Sequence, residues 1–341
     1  RSQGLFYASQ VHNADPEIFK FGIEYLSTVM IFSFGLLGQF FFERLLTSTG
    51  KTIFSMTSQL CGAITNIILD PILIFGLFGA PKMGVTGAAV ATVIGQCVAC
   101  IVAGICNHKF NHEVRLSFRG FRPDLKIIGH IYAVGIPSII MQSISSIMTY
   151  CMNLILVQFT VTATAVFGVY FKLQSFFFMP VFGLNNGITP IIAYNYGARH
   201  RKRMLKTVKV SMFIAFCFTF IGFLAFEFIP KTLLGLFSAS EDMLTIGIPA
   251  LRIIGIHYLI AWFCIIAGTV FQALGKAVFS MIVSIMRQLF VLVPAAYILA
   301  SIGGLHAVWW SFPIAEIISL IVSVAFLVVI NRTIIQKIPE A

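Results

Sequence analysis

Long runs of apolar residues recur along the chain, separated by short polar segments or by glycine and proline. Each run is apolar on every face and is long enough to cross ~30 Å of hydrocarbon as a helix. A helix satisfies its own backbone hydrogen bonds in lipid, and the runs lack the alternation of a membrane β-strand. We therefore predict nine membrane spans, at about residues 19–42, 53–78, 84–106, 129–157, 163–189, 207–229, 244–273, 277–300 and 306–330.

The composition supports this interpretation. Of the 341 residues, 58% are hydrophobic and only 10% are charged, and the mean hydropathy is +0.95. A soluble globular protein is ~45–50% apolar and ~25% charged. The predicted fold class is an all-α polytopic membrane protein.

The basic residues predict the orientation of the spans. If loops alternate between the two sides, 16 of the 23 Lys and Arg residues fall on one side. Cytoplasmic loops carry such an excess, so we expect the C-terminus to lie in the cytoplasm and the protein to reside in the plasma (inner) membrane. The net charge of +11 is then explained by topology and by contact with anionic lipid. It does not predict a nucleic-acid partner.

The chain also contains an internal repeat. Six predicted spans separate its two Gly-Lys sequences, so both lie on the same side of the membrane and the two halves are parallel repeats. Transporters are often built in this way, with the solute site near the repeat interface. The matching segments are Gly50–Met56 with Gly275–Met281, Gly4–Ser9 with Gly235–Ser240, and Gly84–Ala88 with Gly304–Val308.

The repeat predicts that the chain holds part of a longer fold. Four predicted spans of its half precede the second Gly-Lys sequence, but only one precedes the first. We expect nine spans of a twelve-span protein, the alternative being a genuine nine-span protein. The predicted organisation is the remainder of an N-terminal lobe at 1–106, a cytoplasmic linker at 107–128, a C-terminal lobe at 129–331 and a cytoplasmic tail at 332–341.

Several motifs together resemble the multidrug and toxic compound extrusion (MATE) family. Glu43-Arg44-Leu-Leu with Thr49-Gly50-Lys51-Thr is similar to its bacterial MepA-like branch. The other motifs are Asn66-Ile-Ile-Leu-Asp70-Pro71, Gly84-Val-Thr-Gly-Ala, Phe177-Phe-Met-Pro180-Val-Phe-Gly183-Leu-Asn185-Asn186-Gly187 and Pro190-Ile-Ile-Ala-Tyr194-Asn195-Tyr196-Gly197.

The resemblance implies twelve helices in two six-helix lobes, of which this chain would hold the fourth to the twelfth. It also implies secondary active efflux of amphipathic, often cationic, compounds in exchange for protons or sodium. The family's first-helix aspartate would precede residue 1. The acidic residues that another branch carries on its seventh and tenth helices are not seen, which favours coupling in the N-terminal lobe.

Asp70 is the leading candidate for a coupling residue. A charge at the bilayer centre costs ~2.5–3.5 kcal/mol on insertion scales. Asn66 lies one turn earlier on the same helix face, and a carboxylate with an amide oxygen suits Na⁺ or a proton. The alternative is that Asp70 anchors the Pro71 kink or the helix end. Thr92 is the neighbour that the family pattern adds.

Glu43 and Gln39 are further candidates on the first span. Glu43 lies near its cytoplasmic end beside Arg44, so an ion pair in the interface is the alternative to a role in transport. Gln39, one turn earlier, would line the same cavity, with plain helix packing as its alternative.

In the C-terminal lobe, Glu316, Lys172 and Arg287 are predicted at similar depths. Glu316 would pair with Lys172 or Arg287, either as a structural pair or in contact with substrate or a moving proton. The fifth span is predicted to be broken or bent, because Pro180 and Pro190 remove backbone hydrogen bonds. Its neighbours Asn185 and Asn186 would replace these bonds and line a cavity.

Other classes of function are poorly supported. Gly50-Lys51-Thr52 lacks the earlier glycine of a phosphate loop, so no ATP site is expected, and we expect no cofactor. His108 and His112 lie in a basic loop without acidic or Cys partners, which argues against zinc. A membrane-embedded enzyme would need convergent reactive groups, whereas His257 and His306 are far apart with no acidic neighbour in sequence.

Within transporters, the alternative function is a flippase for a lipid-linked or polysaccharide substrate. A flippase should have a cationic cavity that receives phosphate, and the few intramembrane basic residues lend this modest support. We expect small-molecule substrates and lipid as partners, and a monomer.

Overall fold

The structure, a computed structural model, describes residues 16–114 and 124–338. Every regular element in these two ranges is helical, which confirms the all-α class. The chain divides into two compact units, residues 1–121 and 122–341. This division falls inside the segment predicted as a linker.

The described residues of the first unit form four helices and a short 3₁₀ turn at Leu77–Gly79. The first two form a pair bent by 51°, and the last packs against the other three. Their bounds are α1 Pro16–Ile31, α2 Phe34–Ser48, α3 Thr52–Phe75 and α4 Gly84–Phe110.

The second unit contains nine helices in the described residues, together with a π-helical segment, Met286–Leu292. The π-segment joins α11 to α12 without a turn. The bounds are α5 Leu125–Val157, α6 Val161–Gly197, α7 Arg201–Phe228, α8 Pro230–Gly235, α9 Glu241–Gly255, α10 Tyr258–Ala273, α11 Ala277–Ile285, α12 Val293–Val308 and α13 Ser311–Thr333.

Among the described residues, seven helices are long and apolar enough to cross a membrane, and the count reaches the predicted nine only if each bent pair is one span. The second bent pair is α9 with α10, at 51°. The hydrophobic pattern runs through both bends, at residues 32–33 and 256–257, and therefore does not mark them.

The fifth span was predicted to be broken or bent, and it is not broken, because α6 is one continuous α-helix from Val161 to Gly197. Pro180 and Pro190 each remove a single backbone hydrogen bond. Thr189 Oγ1 donates to the carbonyl of Asn185 at 2.6 Å, which is not the Asn186 carbonyl that Pro190 deprives of its helix donor. The backbone bonds on both sides of each proline keep the helix continuous, and membrane helices tolerate such prolines.

The repeated Gly-Lys sequences form the same turn. Gly50 and Gly275 have φ values of +75° and +73°, a conformation that favours glycine. In each turn the lysine N–H donates to the carbonyl five residues earlier, at 2.8 Å in both cases, from Lys51 to Leu46 and from Lys276 to Phe271. These are Schellman motifs at the ends of α2 and α10. Gly84 and Gly304 also share a positive φ, at +56° and +63°.

The two units pack their helices differently. In the first unit, Gly62 on α3 faces Gly95 on α4, and a Cβ added to either would lie 2.8 Å from the other's carbonyl oxygen. The second unit has a core of buried aromatic rings instead, which includes Phe167, Tyr170 and Tyr258. This aromatic core forms one wall of a cavity within the second unit.

Candidate functional site

One face of α3 carries a row of polar and small residues. They recur at helical spacing, which places them in a single row along the helix. The Asp70 carboxylate stands at one end of this row, and the Glu43 carboxylate of α2 meets it near the other end. The row consists of Ser55, Ser58, Gln59, Gly62, Asn66 and Asp70.

At one end of the row, Asn66 links Asp70 to α4. Its Nδ2 lies 3.3 Å from Asp70 Oδ1 and 3.5 Å from Thr92 Oγ1. The Thr92 hydroxyl donates to the Ala88 carbonyl at 2.9 Å. The structure therefore brings together the three residues that the sequence grouped. All three are half-buried, so the group is accessible from one side.

Near the other end, Glu43 is buried and receives three neutral donors. Gln39 Nε2 lies 2.8 Å from Oε1, Gln59 Nε2 lies 3.1 Å from Oε2, and Ser58 Oγ lies 3.4 Å from Oε1. Sequence reasoning named Glu43 and Gln39 but missed Gln59 and Ser58. The spacing of polar residues along α3 was the signal that could have found both.

A cavity of about 180 Å³ lies between these two polar groups. Hydrogen-bond partners of Glu43 and of Asp70 both line it, so its wall joins the two carboxylates through neutral amides and hydroxyls. The wall itself offers amide and hydroxyl oxygens, which are suitable ligands for a hard cation, and the two carboxylates lie directly behind it. The lining residues are Gln39, Gln59, Gly62, Ala63, Asn66, Thr92, Gly95, Gln96 and Ala99.

In the second unit, Glu316 pairs with one of its two predicted partners. Arg287 Nη1 lies 3.4 Å from Glu316 Oε2. Lys172 is directed elsewhere, with its Nζ 5.7 Å from the centre of the Phe237 ring. The glutamate side chain is 4% exposed and the arginine 31%, so the pair lies at the edge of open space.

Two cavities adjoin this ion pair. One, of about 310 Å³, is lined by Tyr170, Phe178, Phe312 and other rings, and by Glu316. We call it the aromatic chamber. The other, of about 380 Å³, is lined mainly by amides and hydroxyls, including Asn185 and Asn186. We call it the polar chamber. Arg287, Phe182 and Ile265 line both.

Sequence reasoning missed three polar residues of the aromatic chamber. His257, Gln174 and Gln288 all line it, and His257 Nε2 lies 3.5 Å from Gln174 Nε2. His257 thus shares a chamber with a carboxylate, although no acidic residue is near it in sequence. A histidine and a glutamine within apolar spans were the available signals, but the bend before α10 that positions His257 was not predictable.

The side chains of residues 16–114 and 124–338 do not provide the ligand set that a metal ion requires. No group of three or more His, Cys, Asp or Glu side chains there could hold an ion.

Comparisons with known proteins agree with this architecture. A family model described as MatE matches residues 7–72 and 137–298. The multidrug export protein MepA of Staphylococcus haemolyticus is 30% identical over 299 residues, which cover 86% of this chain and 63% of that protein. The chain spans about three fifths of the length of the curated relatives it matches.

Solved structures show the same fold. One, described as an outward-facing multidrug resistance MATE family transporter of the MOP superfamily, gives a TM-score of 0.86 at 25% identity and covers 96% of this chain and 72% of its own. A MOP superfamily transporter from Pyrococcus furiosus gives 0.87 at 24% identity, with coverage of 99% and 74%. The two-lobe MATE-like fold class expected from the sequence is confirmed.

Proposed function

Since the chain belongs to the MATE family, we propose that it serves secondary active efflux: amphipathic, often cationic, drugs or metabolites leave in exchange for a proton or sodium ion. The relatives named as multidrug export proteins support this proposal. Transport would proceed by alternating access, in which the solute site opens to one side of the membrane and then to the other.

The observation that carries the proposal is the row of polar groups in the first unit. The Asn66 amide lies 3.3 Å from Asp70 and 3.5 Å from Thr92, on two helices of membrane length and apolar composition. A carboxylate at this depth is retained against the cost of insertion only where it has a function or a partner. Its partner in the described part of the chain is the neutral Asn66 amide, an arrangement that leaves the charge of Asp70 available to a mobile cation.

Proton and sodium make different demands on Asn66. Its amide donates toward Asp70 and Thr92, an arrangement that suits a carboxylate awaiting a proton. Sodium would need oxygen ligands, so the Asn66 amide would have to rotate and present Oδ1. An Asn66→Leu variant would therefore impair sodium-driven exchange more than proton-driven exchange.

Orientation and location complete the proposal. The excess of Lys and Arg on one side of the predicted spans places the C-terminus in the cytoplasm and the protein in the plasma membrane. Neither ATP nor another cofactor takes part, and one copy is sufficient.

Asp70→Asn tests the proposal most directly. The protein is reconstituted in vesicles, and efflux of ethidium is followed under a proton gradient or a sodium gradient imposed separately. We expect the rate of gradient-driven efflux by the variant to fall at least tenfold, because asparagine cannot ionise and so cannot exchange a cation. The variant should still insert normally in the membrane. Asp242→Asn, which neutralises an exposed carboxylate at the start of α9, is the matched control. Undiminished efflux by Asp70→Asn would remove this residue from coupling.

The flippase alternative finds less support in the chambers of the second unit. A phosphate-bearing substrate calls for unpaired positive charge, but Arg287 is compensated there by Glu316.

A further inference from the structure

Arg287 occupies the junction of two chemically different spaces. On one side the aromatic chamber presents Tyr170, Phe178 and Phe312 together with the Glu316 carboxylate. On the other side the polar chamber presents neutral amides and hydroxyls. A guanidinium on a flexible stem at such a junction can reach acceptors in either space.

In the aromatic chamber, the contact between Arg287 and Glu316 is a weak form of ion pair. It is a single contact at 3.4 Å, whereas strong arginine–carboxylate pairs are bidentate and ~2.7–2.9 Å long. Glu316 is 3% exposed, and its Oε1 has no hydrogen-bond partner among the described residues. A buried carboxylate oxygen without a donor strongly favours a further positive group.

The polar chamber offers the arginine a second position. Asn185 Oδ1 and Ser319 Oγ are buried and lack hydrogen-bond partners within the described part of the chain, and both residues line this chamber. Guanidinium has five N–H donors and no acceptor, so these two oxygens are suitable partners for it. The π-segment that carries Arg287 widens the helix at this point, as π-turns at functional sites do.

We propose that the second unit holds a binding site for a monovalent organic cation at Glu316, and that Arg287 is a tethered competitor for that site. With no ligand bound, Arg287 neutralises the carboxylate. A ligand whose ammonium group contacts Glu316 and whose flat apolar part lies among the aromatic rings displaces Arg287 into the polar chamber.

Size and chemistry both match this class of ligand. A cavity of about 310 Å³ lies at the lower end of the range for small-molecule sites, ~300–1,000 Å³. Aromatic rings around a cation attract it through their electron-rich faces. The ligand class is that of the proposed efflux substrates, so this inference rests on the proposed function and adds a site to it. The site does not involve Asp70, and binding is measured without an ion gradient, so a failure here is distinct from a failure of Asp70-coupled efflux.

A tethered competitor has an unusual thermodynamic consequence. The ligand binds only to the fraction of molecules in which Arg287 has left Glu316. Its apparent dissociation constant is therefore the intrinsic constant divided by that fraction, and the apparent affinity is weaker. Removal of a polar side chain from a binding site ordinarily weakens binding. Removal of Arg287 should strengthen it.

The experiment measures equilibrium binding of trimethyl(2-naphthyl)ammonium to the full chain in lipid nanodiscs, by calorimetry and naphthalene fluorescence. The uncharged isostere 2-tert-butylnaphthalene has the same shape and serves as the control ligand. We expect Arg287→Gln to tighten binding of the ammonium probe roughly 5- to 150-fold, the usual range of a coupling between two sites. Glu316→Gln should bind the ammonium probe no more tightly than the uncharged isostere. Glu227→Gln, a surface carboxylate of the same unit, should change neither affinity.

A second comparison separates the tether from simple charge repulsion. Asn185→Leu removes an acceptor from the polar chamber without touching the ligand, and should weaken probe binding only while Arg287 is present. In the Arg287→Gln background the same substitution should have no effect. Should Arg287→Gln fold poorly, Arg287→Lys gives a smaller gain in affinity in the same direction. Unchanged or weaker probe binding by the Arg287 variants would overturn the proposal. It would also be overturned if Asn185→Leu left probe binding unchanged in the parent chain, or weakened it equally with and without Arg287.

Discussion

The two halves of the repeat carry different chemistry at corresponding positions. Gly62 lies twelve residues after Gly50, and Arg287 lies twelve residues after Gly275. Gln96 lies twelve residues after Gly84, and Glu316 lies twelve residues after Gly304. A glycine and an amide in the first unit thus correspond to an ion pair in the second. Each pair of residues lines a cavity of its own unit.

The difference shows how one fold can be adapted in two ways. In the first unit the position is glycine, Gly62, and the backbones of α3 and α4 approach closely there, as small residues permit in membranes. The cavity beside it is about 180 Å³. In the second unit the corresponding residue is Arg287, and two chambers of about 310 and 380 Å³ adjoin it. In the first unit Glu43 and Asp70 receive neutral donors, while in the second unit Arg287 supplies a counter-ion for Glu316.

Loss of the arginine should give the largest change in stability. Arg287→Gln leaves Glu316 buried without its partner, and breaking a buried pair in this way costs about 3–5 kcal/mol. We expect a clear fall in the unfolding midpoint in detergent, followed by fluorescence-detected size exclusion. Binding of the ammonium probe should raise the unfolding midpoint of the variant part of the way back.

The double variant Arg287→Gln/Glu316→Gln sharpens the comparison. It brings the second unit closer to the neutral pairing found in the first, and removal of both charges of a buried pair is often nearly neutral. The double variant should therefore be more stable than Arg287→Gln alone. If it is equally unstable, the charges contribute nothing beyond packing.

A methyl group on Gly62 should give a smaller effect. In Gly62→Ala the new Cβ would lie 2.8 Å from the Gly95 carbonyl oxygen, so α3 and α4 must separate, and overpacking of this kind costs about 1–3 kcal/mol. Gly183→Ala is the control, because nothing lies within 4 Å of its Cβ. Alanine is favoured over glycine within a helix, so the control should be neutral or stabilising. Equal midpoints for both variants would argue against close backbone packing in the first unit.

The smallest effect is expected at Ser280. Its hydroxyl donates to the Gly268 carbonyl at 2.8 Å and so joins α11 to α10. Ser280→Ala should destabilise the second unit by about 1 kcal/mol, the net value of one hydrogen bond. Ser301→Ala, which removes a bond within one exposed helix turn, should change the unfolding midpoint less.

The sequence was sufficient for the all-α membrane class and for the paired glycine turns, because apolar runs of membrane length and repeated Gly-Lys sequences are local signals. It also grouped Asp70 with Asn66, since residues four apart share a helix face. It could not locate the bend at His257 or the π-segment at Met286–Leu292, where the apolar pattern is uninterrupted. Pro180 and Pro190 do not break the fifth span, because a long helix with backbone hydrogen bonds on both sides of a proline tolerates the loss of one such bond.

The paired glycine turns have a consequence for how the protein could be altered. Gly50 and Gly275 hold the same left-handed backbone, and the lysine after each returns to the same carbonyl of the preceding helix. Because the backbone is the same, the seven residues 50–56 and 275–281 are geometrically interchangeable. A chimaera that exchanges them would keep both hairpins intact, and any change in its behaviour would report on side chains alone.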